Sequence, residues 1–302
     1  MEKYILIVNK PLLLDALRNK IDSLKISVKT EFEVKCLNIK KDKFKIVSNK
    51  GESILADKII FATGGTASQN LGSNGSGIKI LKSLGHTCTK LTPALVQLKT
   101  PPEKVKSLKG IKITGNLKMY SNNNFLKEEY GEILFTDYGI SGPPVFQLST
   151  LFARYNNLIG FIDFMPNFSE EEVFKILKDR KKILNYTNME NYFNGLLNKR
   201  LGNIIAKNSG IQKLSFLVKD LTDDILKNMT DLIKNYKLEI LDTNGFNNAQ
   251  VTAGGINTDE FNNKTLESKI IKVLFCAGEI LDVVGDCGGF NLQWAWSSSY
   301  VC

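Results

Sequence analysis

The sequence predicts an α/β fold carrying a second unit of sheet and helix set into it. Three observations point there. Apolar runs stop abruptly on glycine at ATGG (62–65), TAGG (252–255) and CAGE (276–279). The first and the last two of these are separated by a long strand-rich and then helix-rich stretch. Residues 273–297 also join a short apolar strand, a Gly278-Glu279 break, a loop with Asp282 and Asp286, the pair Gly288-Gly289, and a helix-like run with Trp294 and Trp296. A strand that ends on glycine ahead of a helix start is how an α/β sheet edge offers backbone N–H groups to a bound group.

The elements follow in order. Residues 4–8, YILIV, read as a strand with no glycine-rich turn after it. Pro11 opens a helix where its missing N–H costs little. Leu12, Leu13, Ala16, Leu17, Ile21 and Leu24 then recur at helical spacing. Residues 26–39, 44–48 and 53–56 alternate apolar with polar and are separated by turn material at 41–43 and 49–52, which predicts a small antiparallel meander. Residues 58–65, KIIFATGG, read as a strand over Ile59 to Ala62 buried on both faces, stopped by Thr63-Gly64-Gly65. An amphipathic helix follows at IKILKSLG, with Gly85 suited to its C-terminal cap.

From Leu91 to about residue 165 the sequence is strand-rich, as LVQLK, IKITGNLKMY, EILFTDYGIS and NLIGFIDFM, with a turn cluster at residues 121–124. This spacing suggests an antiparallel sheet or small barrel. Pro143-Pro144 opens a helix-like PVFQLST. Ser169 and Glu172 form a capping box for EEVFKILKDRKKIL. Further helices are expected at MENYFNGLLNKRLGNIIAK and over 220–234, then a strand over 236–241. The expected organisation is 1–91, an inserted barrel-like and helical unit over 92–248, and a return to the first domain over 249–302.

Composition excludes several classes. The chain has 302 residues, is 43% hydrophobic and 24% charged, and has no apolar run long enough to span a membrane. The start is too quickly polar for a signal peptide, so a cytoplasmic protein with no membrane partner is expected. Five cysteines form no CxxC pair and there is one histidine, His86, so neither a metal site nor a disulfide framework is expected. Cys287, in the glycine-rich loop, is the thiol to test for reactivity. His86 stands outside any acidic or serine cluster, which argues against a hydrolase triad and for a structural histidine.

The net charge of +9 raises the question of nucleic acid. The cations are nearly all lysine, with arginine only at 18, 154, 180 and 200, and no basic run is interleaved with aromatics. The expectation is a solvated lysine surface and no nucleic-acid partner. No GxGxxG, P-loop or GxSxG occurs, and GSNGSG (72–77) has the wrong spacing for a dinucleotide fingerprint.

The residues that remain resemble a known family. ATGG (62–65), LGH (84–86), LTPALVQL (91–98), GEILFTDYGISGPPVFQLS (131–149), QVTAGGI (250–256), TLESK (265–269) and FCAGEILD followed by GDCGGFNLQWAWSS (to 298) stand in the order found in the bacterial NAD(P)/FAD-dependent oxidoreductases of the BaiN and aminoacetone-oxidase type. The resemblance implies a Rossmann-like FAD-binding domain with an inserted barrel, FAD as cofactor, NAD(P)H as electron donor, and a small organic substrate. By motif, Gly278, Glu279 and Asp282 would run along the cofactor's linker. Gly288, Gly289, Phe290, Asn291 and Leu292 would offer N–H groups to the flavin's pyrimidine edge. Ala62, Thr63, Gly64 and Gly65 would pass the adenine end or the pyrophosphate. Asp137 and Tyr138 are candidates for acid–base work only by their place in FTDYGISGP, a loop expected to close over the flavin.

The resembled family opens with a strand–GxGxxG–helix unit that this sequence lacks. Val284 also replaces an acidic residue, and Ser299 a glycine. The resemblance therefore implies an N-terminally truncated chain and leaves two readings open. One is an FAD oxidoreductase. The other is a non-catalytic remnant, or half of a split flavoprotein needing a separately encoded N-terminal half to hold FAD.

Overall fold

A computed structural model describes residues 10–40 and 43–302. The strand expected at 4–8 and part of the turn expected at 41–43 lie outside the described residues. The chain forms two compact units, one ending at Lys58 and one spanning Ile59–Cys302.

The first unit holds helix α1 (Lys10–Ser23) and the three-stranded antiparallel sheet β1 (Val34–Lys40), β2 (Lys43–Ser48) and β3 (Ser53–Ala56), in the order β1-β2-β3. The meander is as its alternation predicts, although β1 is shorter than the 26–39 run. Leu37 and Phe44 are buried, whereas Leu12 and Leu17 of α1 are exposed. The helical spacing of those leucines therefore marks a helix but not a buried face.

The second unit begins at β4 (Ile59–Phe61), followed by α2 (Ser76–Ser83). Gly85 follows α2 with φ +100°, the left-handed cap a Cβ would disfavour. β4 pairs in parallel with a strand from the far end of the chain, Leu274–Cys276, through Leu274↔Ile59, Phe275↔Ile60 and Cys276↔Phe61. One expectation is corrected here. The strand stops at Phe61, and Ile60 is 54% exposed, so β4 is not buried on both faces. Its only sheet neighbour among the described residues is that one strand.

Next come β5 (Thr92–Ala94), β6 (Leu98–Lys99), a short helix α3 (Pro102–Val105), β7 (Lys112–Ser121), β8 (Asn124–Phe135), β9 (Gly139–Ser141), α4 (Pro143–Ser149) and β10 (Leu158–Asp163). Asn122 and Asn123 both have positive φ, 48° and 65°, and make the tight β7–β8 turn. The helices α5 (Glu170–Ile183), α6 (Met189–Tyr192), α7 (Lys199–Asn208) and α8 (Asp223–Lys234) follow, then β11 (Tyr236–Glu239), β12 (Asp242–Thr243), β13 (Val251–Ala253), β14 (Leu274–Cys276) and α9 (Phe290–Val301). The capping box forms: Ser169 Oγ accepts from Glu172 N at 3.2 Å, and Glu172 accepts from Ser169 N at 2.7 Å.

Seven strands make one antiparallel sheet in the order β11-β10-β7-β8-β9-β6-β12. Its inner face and α4 through α8 enclose the main core, including Leu117, Met119, Phe135, Ile162, Leu177, Tyr192 and Met229, all fully buried. Lys234 reaches into the edge of this core, pairing with Asp163 at 2.7 Å and capping the carbonyl of Met165. β13 pairs antiparallel with β5 (Val251↔Ala94, Ala253↔Thr92), so the second glycine-terminated run is fixed against the start of the strand-rich stretch. Ala94, Leu95, Val251 and Ala253 form a small apolar cluster on which Phe146, Ala153, Val284 and Cys287 pack.

Candidate functional site

The three glycine-terminated runs meet at Thr252. Its Oγ1 accepts from the N–H groups of Thr66 (2.8 Å) and Ala67 (3.0 Å), just past ATGG. Its own N–H donates to Glu279 Oε1 at 2.7 Å, just past CAGE. A Cβ on Gly65 would collide with Thr252 Oγ1 and sit 2.8 Å from Glu279 Oε1. Gly65 and Glu279 are thus brought together, and Thr252 between them escaped the sequence reading. Burial pushes the Glu279 carboxyl above its usual range, only partly offset by the hydrogen bonds from Thr252.

Gly278 is held by α9. Its N–H donates to Ser298 Oγ at 2.9 Å, and its carbonyl accepts from Trp294 Nε1 at 3.0 Å. The helix therefore docks on the end of β14 through Trp294, while Phe290, Leu292, Trp296 and Tyr300 stay exposed.

The loop between them is built by two side chains. Asn291 closes a ring with Gly285, accepting from its N–H at 2.8 Å and donating to its carbonyl at 2.9 Å. Gln147 of α4 accepts from Cys287 N at 2.8 Å and donates to Asp286. Gly289 then starts α9 with φ +100°. The N–H groups of residues 288–292 have no protein acceptor among the described residues, the first bond of the helix being Gln293 N to Gly289 O. Four open donors at a helix start are intrinsic to the helix, and they carry its positive dipole end.

Beside this loop lies a cavity of about 370 Å³. Its walls are Ala253 and Gly254 after β13, Asp282 and Val284 to Asp286 of the acidic loop, Thr89 and Lys90, and Thr150, Leu151, Ala153 and Arg154 after α4. Lys90 and Arg154 line it together with Asp282 and Asp286, and neither cation makes an ion pair among the described residues. Of the predicted site residues, Asp282 lines this cavity. Ala62 and Thr63 are exposed at the end of β4, with Thr63 packed against Gly77 of α2. Asp137 and Tyr138 do not line it. Asp137 pairs with Lys109 at 2.6 Å, a hydrogen bond that lowers its carboxyl, and Tyr138 Oη meets Asn244 Nδ2 at 3.3 Å. The segment after the FTDYGISGP loop, from Gln147 to Arg154, reaches the site in its place.

His86 differs from its reading in one respect. The fold brings it an acid and a serine that are remote in sequence: Nδ1 lies 2.7 Å from Glu260 Oε2, and Nε2 lies 3.1 Å from Ser268 Oγ. The side chain is wholly buried and stacked on Phe261, with ring centroids 5.0 Å apart. Ser268 Oγ also accepts from the N–H groups of Ile270 and Ile271. Both ring nitrogens and the hydroxyl are committed, so the row is a structural lock, as expected for His86.

A family model described as the HI0933-like protein Rossmann domain matches residues 9–302. The chain belongs to the HI0933-like Rossmann-domain family. Among curated relatives of the HI0933-like chain is the 3-dehydro-bile acid delta(4,6)-reductase of Clostridium scindens, 35% identical over 292 residues, which cover 95% of this chain and 71% of the relative. Ribosomal RNA dihydrouridine synthases of Haemophilus influenzae and Escherichia coli are 30% and 28% identical, over 81% and 83% of this chain. The chain spans 59% and 61% of those two relatives. HI0933-like membership accounts for the meeting of glycine-terminated runs, because a Rossmann-type domain gathers its ligand loops at strand ends. Among the described residues no helix is long and apolar enough to cross a membrane.

Proposed function

We propose that the chain is the flavin-edge and substrate-side part of an FAD-dependent oxidoreductase that moves a hydride from NAD(P)H through flavin to a small unsaturated substrate. One observation carries the reading: five successive N–H groups at 288–292, without acceptors among the described residues, stand directly after the wall of a cavity of about 370 Å³. That is a fit for a flat ligand edge rich in carbonyl and ring-nitrogen acceptors. Family membership supports the oxidoreductase class.

Bound FAD would supply the two-electron chemistry, and the protein would supply position and field. Gly288 to Leu292 would hold the pyrimidine edge, and the helix start would stabilise negative charge gathering there. Gly278, Glu279 and Asp282 would follow the linker, with Ala62 to Gly65 toward the adenine end. Gln147 and Asn291 would keep the acidic loop in place, and Asp282 and Lys90 would bound the space left for the substrate. The relatives' names, a delta(4,6)-reductase and dihydrouridine synthases, both describe adding hydrogen across carbon–carbon double bonds. That supports an unsaturated carbonyl compound as the substrate class here.

A second reading has its own support. Ile60 of β4 and Phe290, Leu292, Trp296 and Tyr300 of α9 are exposed apolar groups on elements of the Rossmann part. They suit a chain that retains FAD only with a further polypeptide, such as a separately encoded N-terminal half.

The visible spectrum of the purified chain decides between them. Flavin bands near one per chain, bleached by NADH or NADPH, are expected on the first reading. A colourless protein that stays colourless with added FAD would overturn it and leave the second.

A further inference from the structure

We propose that the outer face of the seven-stranded sheet, across β11, β10, β7 and the start of β8, is where two copies of this chain pair about a two-fold axis. The proposal stands on this face alone and is independent of what the flavin-side cavity takes.

Successive strand residues point to opposite faces. Leu117, Met119, Leu158, Ile162 and Leu238 point inward and are buried. Their neighbours point outward, and the register sets them in two cross-strand rows. The first row runs Lys237, Phe161, Lys118, Glu128. The second runs Glu239, Ile159, Tyr120, Phe125. Outer faces of antiparallel sheets are ordinarily polar. This one carries three touching aromatic rings instead: Tyr120 lies edge-on to Phe161 at 5.4 Å and to Phe125 at 5.6 Å. Phe125 is 54% exposed, and Tyr120, Ile159 and Phe161 line an open groove of about 340 Å³. None of Lys118, Glu128, Lys237 and Glu239 makes an ion pair among the described residues.

The order of residues along the rows makes the face complementary to itself. A two-fold axis lying against the face, parallel to the strands and between β10 and β7, reverses each row in the second copy. β11 then faces β8 of the second copy, and β10 faces its β7. Lys237 meets Glu128 of the second copy, Lys118 meets Phe161, and Ile159 meets Tyr120. Each contact occurs twice, as an isologous interface requires. The first is an ion pair, the second sets an ammonium over an aromatic face, and the third is apolar. Glu239 falls beside Phe125 at the rim, where its carboxylate keeps its water. Charge favours the same occupant. A chain of net charge +9 repels its own copies over most of its surface. On this face two lysines balance two glutamates, so that repulsion is least here, and an acidic partner would meet Glu128 and Glu239 at the two flanks. Four strands about 4.8 Å apart make a patch about 20 Å wide. That is small for a specific interface, so association in the micromolar range is expected.

The test is sedimentation equilibrium of the full chain from about 1 μM to about 200 μM, a range that spans weak specific association. A monomer–dimer equilibrium is expected. Phe161→Ser should weaken the dimer about tenfold, by removing a ring at the centre of the face. Lys237→Glu and Glu128→Lys should each weaken it about tenfold or more, because each sets like charges opposite one another at two symmetric places. Mixing those two variants should restore association as a heterodimer, since both ion pairs form again in the mixed pair. Circular dichroism of each variant confirms that it is folded.

A chain that stays monomeric across the range overturns the proposal. So does a dimer that folded Lys237→Glu and Glu128→Lys leave unchanged, or a mixture of the two that associates no better than either alone. A dimer that survives Phe161→Ser but is lost in Leu292→Ser would assign self-association to the exposed apolar groups of α9 and overturn it too.

Discussion

The side-chain carbonyl of Gln147 accepts the N–H of Cys287 at 2.8 Å, tying α4 to a loop 140 residues further along the chain. The same amide donates to Asp286. Gln147 is buried, and it fixes the loop from which the open N–H groups of 288–292 emerge.

Gln147→Ala is expected to remove both bonds and destabilise the protein by about 1–2 kcal/mol, since the part-buried Cys287 N–H loses its acceptor. Gln147→Glu should cost more at neutral pH, because it sets a second carboxylate beside Asp286. Thermal unfolding checks both. Equal stability of the alanine variant and wild type would show that the clasp contributes nothing.

Gly65→Ala should be destabilising by about 1–3 kcal/mol, because the added methyl meets Thr252 and lies 2.8 Å from Glu279. The double variant with Thr252→Ser tests the mechanism. Removing the Thr252 methyl without losing its hydroxyl should recover little, as the clash is with Oγ1 itself. Denaturant midpoints report this directly.

Glu260 supplies a pH dependence. Burial by itself raises its carboxyl, but hydrogen bonds from Thr87 and His86 outweigh burial and the net shift is downward. A carboxyl lowered on folding stabilises the protein above its unfolded value, about 4.3, and that contribution is lost as pH falls through the folded value. The melting temperature of wild type should therefore exceed that of Glu260→Gln at pH 5, and the gap should close toward pH 3. A gap that stays constant over that window would exclude this linkage.

Ser169→Ala should cost about 1 kcal/mol, by removing one half of a capping box that sits at a solvent-facing helix start. Ser169→Asp should retain most of the stability, because a carboxylate accepts the same N–H and suits the helix dipole. Urea unfolding of the two variants distinguishes a capping loss from a general surface effect.

Much of the fold was legible because it is written locally. The β7–β8 turn needs two residues that tolerate positive φ, and Asn122-Asn123 supply them. The capping box needs Ser169 and Glu172 at a fixed offset. Glycine endings marked three strand ends that the fold then gathers at Thr252. Burial was less legible. Ile60 has the composition of an enclosed strand yet is 54% exposed, because enclosure depends on which neighbours cover a strand and not on its own residues.

The sequence by itself determined the element order, the turns and caps, and the HI0933-like glycine motifs, since these rest on backbone geometry within a few residues. Only the tertiary structure decided which distant groups meet: Gln147 with Cys287, Thr252 with Glu279, and His86 with both Glu260 and Ser268. It also decided how lysines and aromatics interleave. Along the chain no basic run alternates with aromatic residues, but strand register sets Lys237, Phe161 and Lys118 side by side. Register is a property of paired strands, so the row exists only once β7, β10 and β11 have come together.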